Sequence, residues 1–334
     1  MILVTGGSGF LGSYLIRSLI KNNFPVRAIK RPDSDLSPLG DINSKIEWID
    51  CDVRDPLGME DAMNGIEKLY HCASMVSFNP RWRKEMYSVN VEGTANVMNS
   101  ALNAGVKKVL HVSSIATFGR VKGGAMINES TRWTESVINS HYSKSKFRSE
   151  REVWKAMAEG LNGVIVNPAV ILGAWFPHKG TSKFFNRVWK GQRFYTEGVN
   201  AFVDVRDCAS LMIQLMESEI SNERFIVSSE NLSYKTLLEN IAKHLGKNAP
   251  TKNANNFLLQ SAVFAERIRS RLANREPLIN PETARIWQEK YFYDNSKIIN
   301  ALQFKFKPVE ETIKDTVGKF LERIKKESRV AVFD

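Results

Sequence analysis

Val4-Thr5-Gly6-Gly7-Ser8-Gly9-Phe10-Leu11-Gly12 is the stretch that decides the fold. It begins inside Ile2–Thr5, a short apolar run with the β-branched content of a buried strand, and it opens onto Leu11–Lys21, where apolar residues recur at helical spacing. A strand that turns through glycines straight into a helix leaves the first backbone N–H groups of that helix without partners. Those groups and the helix dipole favour negative charge, and side chains at the turn would hold a phosphate out of reach. Gly6, Gly9 and Gly12 remove such side chains at the spacings a pyrophosphate needs, and Phe10 and Leu11 contribute the amides. The stretch predicts a strand–turn–helix that binds a dinucleotide.

Outward from this turn the alternation continues. Val26–Lys30, Ile46–Ile49, Lys68–Ala73, Val109–Ser113, Gly163–Asn167 and Arg224–Ser228 read as further strands. Met59–Met63, Val89–Ala104 and His141–Ala158 read as helices between them. This order predicts an α/β chain with a Rossmann-type, doubly wound parallel sheet. After Pro168 the alternation loosens, and Trp175–Gly180 and Asn248–Asn256 look like loops. Later helices, Phe257–Leu272 and Pro308–Lys326, follow without intervening strands, and Ile313, Val317, Phe320 and Ile324 form an apolar stripe on the second. Residues 1–167, with roughly 200–230, are expected to form the nucleotide-binding domain. Residues 168–199 and 231–334 are expected to form a smaller, mostly helical C-terminal lobe over the substrate.

The 334 residues suffice for a Rossmann domain and a companion lobe. Apolar residues make up 43% and charged residues 25%, the balance of a globular chain with a core. No apolar run reaches the ~18 residues of a membrane span, and Met1–Thr5 lacks the basic start of a signal peptide, so a cytoplasmic location is expected. Lys and Arg exceed Asp and Glu by eleven, but this charge is spread along the chain, without basic–aromatic interleaving or zinc-finger spacing. A solvated basic surface explains it better than a nucleic-acid partner. Cys51, Cys72 and Cys208 are few and far apart, and the histidines do not cluster, so neither a disulfide framework nor a metal site is expected.

The end of the second strand selects the cofactor. An acid there would accept hydrogen bonds from the ribose hydroxyls of NAD. The chain instead reads Ile29-Lys30-Arg31-Pro32, and a paired ammonium and guanidinium suit the 2′-phosphate of NADP(H), which is favoured over NAD(H). Asp52 and Val53, past the third strand, are placed to meet the adenine. His71-Cys72-Ala73-Ser74 ends the fourth strand, where the small Ala73 and Ser74 would let the backbone approach the nicotinamide ribose.

Tyr142 and Lys146, at i and i+4, share one face of a predicted helix. A phenol is too weak an acid to deliver a proton at neutral pH, and an adjacent ammonium is expected to lower its pKa toward the working range. Tyr142 would then exchange a proton with the substrate oxygen while Lys146 tunes it and holds the nicotinamide ribose. Ser114, in Val112-Ser113-Ser114-Ile115-Ala116, stands at the C-terminal end of the fifth strand, where its hydroxyl can hydrogen-bond a substrate carbonyl oxygen.

In these residues the chain resembles the extended short-chain dehydrogenase/reductase family, the NAD-dependent epimerase/dehydratase superfamily. Within it, the resemblance is to the dihydroflavonol-reductase-like and 3β-hydroxysteroid-dehydrogenase-like branch. It covers most of the chain and includes Asn90-Val91-Glu92-Gly93-Thr94, Asn167-Pro168-Ala169-Val170-Ile171-Leu172-Gly173 and Phe202-Val203-Asp204-Val205-Arg206-Asp207. The resemblance implies hydride transfer at the nicotinamide ring with Ser114, Tyr142 and Lys146 as the catalytic set, and it adds Pro168 to the cofactor contacts. It also implies a homodimer packed through Val89–Ala104 and His141–Ala158.

The same fold hosts other chemistry. Dehydratases of the family carry an acidic pair after the serine or threonine, where this chain has Ile115 and Ala116. Epimerases usually carry an arginine and an asparagine in the motif occupied here by Asn167 and Val170. A nucleotide-sugar epimerase using bound NAD is therefore the alternative, and a non-catalytic NADP sensor is disfavoured because Tyr142 is kept. The expected substrate walls, Met75–Trp82, Ala116–Arg120 and Ala174–Phe185, supply Met75, Phe78, Trp82, Phe118, Trp175, Phe176, Phe184 and Phe185. They suggest a small-molecule carbonyl or alcohol of apolar character. Arg81, Arg83 and His178 could add a contact to an anionic group. Phe257, Phe264, Ile268 and Leu272 recur at helical spacing, a stripe expected to pack onto the lobe rather than lie on a membrane surface.

Overall fold

The computed structural model describes residues 1–119, 124–136, 139–176, 179–272 and 281–330. Seven strands form the central sheet: β1 (Ile2–Thr5), β2 (Val26–Lys30), β3 (Ile46–Asp50), β4 (Lys68–His71), β5 (Lys108–Val112), β6 (Gly163–Pro168) and β7 (Glu223–Val227). All pair in parallel, in the order 3-2-1-4-5-6-7. The order reverses between β1 and β4, and in such sheets the crevice at the C-terminal ends of those strands takes the ligand. Every residue of β1 and of β6 is buried, as strands covered on both faces must be.

One face of the sheet carries α1 (Phe10–Lys21), whose Leu15, Ile16 and Leu19 belong to a core with Val4, Leu211 and Leu215. The other carries α2 (Gly93–Asn103) and α3 (His141–Ala158), which bring Val97, Ala101, Val153 and Ala156 onto Leu3, Leu69, Val109 and Ile165. Leu211 and Leu215 come from α4 (Val205–Glu217), which lies beside α1.

The helix expected over Val89–Ala104 is divided. Ser88–Glu92 forms a wide π turn, and the regular helix starts at Gly93. Thr94 donates its hydroxyl to the Asn90 carbonyl at 2.7 Å, adding a side-chain bond where the ladder is disturbed. β4 stops at His71, two residues short of the expected Ala73, because Cys72 to Ser74 leave the sheet at its ligand edge.

Past β6, Val170–Leu172, Val199–Asp204 and Glu230–Ser233 form a second, three-stranded sheet. This sheet was not anticipated in a lobe expected to be mostly helical. Around it pack Ser182–Trp189, α5 (Tyr234–Leu245) and a long C-terminal helix, with Phe185, Leu237, Ile241, Ile313, Val317 and Phe320 in a common core. α6 (Asn256–Leu272) lies where the sequence indicated, but its aromatic stripe faces outward: Phe257 is 79% exposed and Phe264 66%, while Leu259 and Val263 point in. The expected packing of that stripe onto the lobe is thus corrected, since the opposite face of the helix is the buried one; the side chain of Leu272 lies outside the described residues. The C-terminal helix α7 (Val309–Val330) begins one residue after Pro308 and buries Ile313, Val317 and Phe320 of the predicted stripe, with Ile324 partly buried. Among the described residues, no helix is long and apolar enough to cross a membrane.

Candidate active site

The glycine turn is built as tightly as its sequence implies. Gly6 adopts a left-handed φ of 69°, and a Cβ there would stand 2.6 Å from the Ala73 nitrogen. A Cβ on Gly12 would lie 2.2 Å from the Gly6 carbonyl oxygen, so neither position admits a side chain without backbone movement. Gly9 accepts from Ser13 at 2.9 Å and caps α1 with no side-chain hydrogen bond, and no acid stands in the first turn. An uncapped N-terminus of this kind fits a pyrophosphate. Leu11 is buried beneath it, and the Phe10 ring lies 5.2 Å from Trp175.

At the next strand end the two cations differ. Lys30 is ion-paired across the sheet with Asp50, its register partner on β3. Arg31 is 53% exposed and only loosely paired with Asp33, at 3.5 Å. The expected joint cation site therefore leaves Arg31 as the freer group. Asp52 carries an unanticipated clamp: Arg54 donates to it through Nε at 2.9 Å and Nη2 at 2.7 Å, and these bonds hold its carboxyl below the usual range. Val53 is buried under the start of α2, where Gly93 leaves room for it.

A buried polar chain ties this edge together. The Ala73 amide donates to Thr5 Oγ1 at 3.2 Å, and Thr5 Oγ1 meets His71 Nδ1 at 2.7 Å. His71 Nε2 meets Thr94 Oγ1 at 2.9 Å. Burial pushes the imidazole pKa down to about 3, so the ring is neutral. With Thr94 donating to the Asn90 carbonyl, the hydrogen-bond chain assigns the ring proton to Nε2. Asn90 then accepts from Ser74 Oγ at 3.1 Å and the Met75 amide at 2.7 Å, and donates to Ser145 Oγ on α3 at 3.0 Å.

Ser114, Tyr142 and Lys146 come together at the C-terminal end of β5. Ser114 caps a short 3-10 turn, accepting from the Ala116 amide at 3.1 Å, and it is hydrogen-bonded to the Tyr142 phenol. Ser140 caps α3 by accepting from the Ser143 amide at 2.8 Å, which fixes the turn that carries Tyr142. Lys146 is buried and donates to the Val112 carbonyl at 2.8 Å. Burial lowers its pKa to about 8, opposed by Glu150 and Cys72. The Tyr142 pKa moves the other way from the expectation: burial raises it, and the hydrogen bond from Ser114 offsets part of the rise. The cause is desolvation of the phenolate, with the Lys146 ammonium turned to Val112.

One turn beyond Lys146, Glu150 was missed by the sequence reading, although Tyr142, Lys146 and Glu150 recur at the spacing of one helical face. Its carboxylate is 3% exposed and accepts from Ser113 Oγ at 2.6 Å, Asn167 Nδ2 at 2.8 Å and Arg224 Nη1 at 3.0 Å. Asn167 Nδ2 also reaches the Ser114 carbonyl at 3.1 Å. The C-terminal ends of β5 and β6 and the start of β7 are therefore tied to the helix that bears Tyr142.

The expected substrate residues separate. Phe78 meets the Tyr142 ring edge-on at 5.7 Å, and Met75 and Trp82, both partly buried, come from the same segment. Phe118 is corrected to the core: it is buried, and Arg224 lies 4.4 Å from its ring centroid. Phe185 is likewise core, and Phe184 packs near Tyr234. Trp175 and Phe176 line a cavity of about 520 Å³ with Tyr14, Arg17, Lys319 and Arg323, beside the glycine turn. Of the suggested anion contacts, Arg81 lies over the Trp82 ring and Arg83 is exposed. His178 and the end of the Ala116–Arg120 wall lie outside the described residues.

With this geometry in place, comparison with known proteins decides the family. Residues 2–228 match the NAD dependent epimerase/dehydratase family. The chain belongs to that family. Within the epimerase/dehydratase family it is 31% identical to Sterol demethylase protein B of Methylococcus capsulatus, over 96% of this chain and 98% of that one. It is 29% identical to a putative dihydroflavonol 4-reductase of Synechocystis, over 95% and 93%. A solved UDP-glucose 4-epimerase from Thermotoga maritima superposes with a TM-score of 0.79 over 97% of this chain and 99% of that one, at 21% identity, a likeness of fold.

Proposed function

We propose that the protein is an NADP(H)-dependent oxidoreductase moving hydride between the nicotinamide and the ketone/aldehyde–alcohol pair of an apolar substrate. Tyr142 is the general acid/base. The observation that carries this reading is the Ser114–Tyr142 hydrogen bond, one helical turn from the buried Lys146 and at the ligand edge of the sheet. When bound, the cofactor donates or accepts hydride at its nicotinamide ring.

The remaining roles belong to the chain. The amides around Gly6, Gly9, Phe10, Leu11 and Gly12 hold the pyrophosphate. Arg31, assisted by Lys30, reads the 2′-phosphate; Asp52 and Val53 serve the adenine, and Ala73, Ser74 and Pro168 the nicotinamide end. Ser114 hydrogen-bonds the substrate oxygen and stabilises its developing charge. Tyr142 gives that oxygen its proton as it becomes an alkoxide, and removes the proton in the reverse direction. An ammonium has three donors, so Lys146 keeps two beyond its bond to Val112 with which to stabilise the phenolate and hold the ribose. Met75, Phe78 and Trp82 offer an apolar wall, and the names of the two relatives, a sterol protein and a dihydroflavonol reductase, agree with a ring compound. A homodimer through α2 and α3 is part of the same reading.

The test begins with tryptophan-fluorescence titration of NADPH and NADH. Preference for NADPH is expected, followed by loss of nicotinamide absorbance with steroid ketones, dihydroflavonols or aryl aldehydes. NAD retained through purification, with interconversion of UDP-hexoses and no net redox change, would replace this reading with the epimerase one.

A further inference from the structure

Helix α6 presents to solvent a face that a surface helix ordinarily turns inward. Phe257, Phe264 and Ile268 are seven and four residues apart, within one narrow stripe, and all are exposed, with Leu258 on its flank. The opposite face, Leu259, Val263, Glu266 and Ser270, is the buried one. An uncovered apolar strip of this kind marks a surface that meets something.

The charge on the helix identifies the partner. Residues 256–272 contain one acid, Glu266, and it is on the buried side. They also contain Arg267, Arg269 and Arg271; Arg269 is exposed, and the other two side chains lie outside the described residues. The outer face is thus apolar and cationic, without an exposed acid among the described residues, on a chain of net charge +11. Two copies meeting through this face would set like charges against each other, whereas a phosphate-bearing surface reverses the sign. We propose that α6 rests on an anionic lipid surface, with Phe257, Phe264 and Ile268 entering the headgroup boundary and Arg269 at the phosphates.

The experiment is flotation of the full chain with phosphatidylcholine vesicles, with or without about one third phosphatidylglycerol. Binding to the anionic vesicles should exceed binding to neutral ones by about ten-fold and fall as salt is raised. Combined Phe257→Ser, Phe264→Ser and Ile268→Ser should lower it about ten-fold with an unchanged melting curve, because these side chains are exposed in the folded chain. Arg269→Glu, a single exposed change, should weaken anionic binding alone and decides the matter if the triple variant melts early. A parent chain that does not float, or variants that float as the parent does, would overturn the proposal. So would a dimer in sedimentation that the triple variant dissociates without any vesicle binding, which would assign the face to a second copy. Turnover is not measured, so the result stands apart from the catalytic reading.

Discussion

Replacing Glu150 by Gln removes one charge from a buried, multiply bonded side chain at the site and almost no volume. The carboxylate accepts from Ser113, Asn167 and Arg224 at 2.6, 2.8 and 3.0 Å. After substitution Ser113 can rotate its hydroxyl to accept from the new amide, and Asn167 keeps Thr117 Oγ1 at 2.9 Å and the Ser114 carbonyl. The main loss is therefore the charged bond to Arg224, which retains the Glu129 carbonyl at 2.6 Å and the face of Phe118. Breaking a buried pair from one side costs about 3–5 kcal/mol, and these remaining partners place Glu150→Gln near the lower end, about 3 kcal/mol. At roughly 1–2 °C per kcal/mol for a chain of 334 residues, the thermal midpoint should fall by roughly 3–6 °C. The assay is a double-mutant cycle with Arg224→Gln by urea and thermal unfolding, where a coupling of about 1–3 kcal/mol is expected. Single variants within about 0.5 kcal/mol of the parent, or strictly additive losses, would refute the reasoning.

Tyr142→Phe should bind NADPH within about two-fold of the parent while losing about 10²–10⁴ in turnover; steady-state rates near those of the parent would remove Tyr142 from the chemistry. On the proposed role of Lys146 as the ammonium, and with burial lowering its pKa to about 8, turnover should be level below that pH and decline as pH rises through it. A kcat profile that holds to about pH 10, the ordinary lysine range, would show that its charge is not used. Arg31→Ala should weaken NADPH about ten-fold and leave NADH nearly unchanged, with a smaller effect from Lys30→Ala, whose ammonium Asp50 already holds. Equal losses for both cofactors, read by fluorescence titration, would count against a 2′-phosphate site. Gly12→Ala should abolish dinucleotide binding, since its Cβ would collide with the Gly6 carbonyl oxygen, and normal calorimetric binding would contradict the tight turn.

The central sheet was legible because inner strands such as β1 and β6 are buried on both faces and so appear as continuous apolar runs bounded by turn residues. The glycine turn and the juxtaposition of Ser114, Tyr142 and Lys146 were legible because the i, i+4 spacing on one helix and a serine at a strand end fix which side chains can meet. Glu150 was not, because an acid in the charged stretch Arg148–Arg151 looks like a solvated helix face until β7 brings Arg224 to it. The second sheet escaped notice because Val170–Leu172 is only three residues long and Glu230–Ser233 is partly exposed, too little for a period to register. Phe118 and Phe185 show the limit of reading aromatics as pocket walls: residue type signals burial, while tertiary packing decides against what.

The position of β7 in the chain bears on how the molecule reaches its native state. Arg224 lies 74 residues beyond Glu150 and arrives only after the strand Val199–Asp204 and helix α4 have been made. Until then the outer edge of β6 is open, with unpaired backbone groups, and a carboxylate destined for the interior lacks its cation. A ribosome-bound chain ending near residue 200 should therefore leave the edge that bears Ser114 and Tyr142 unlocked, however early the glycine turn forms. Locking of that edge, and the window in which nascent chains are most exposed to aggregation, would then be set by these distant contacts rather than by the local helices.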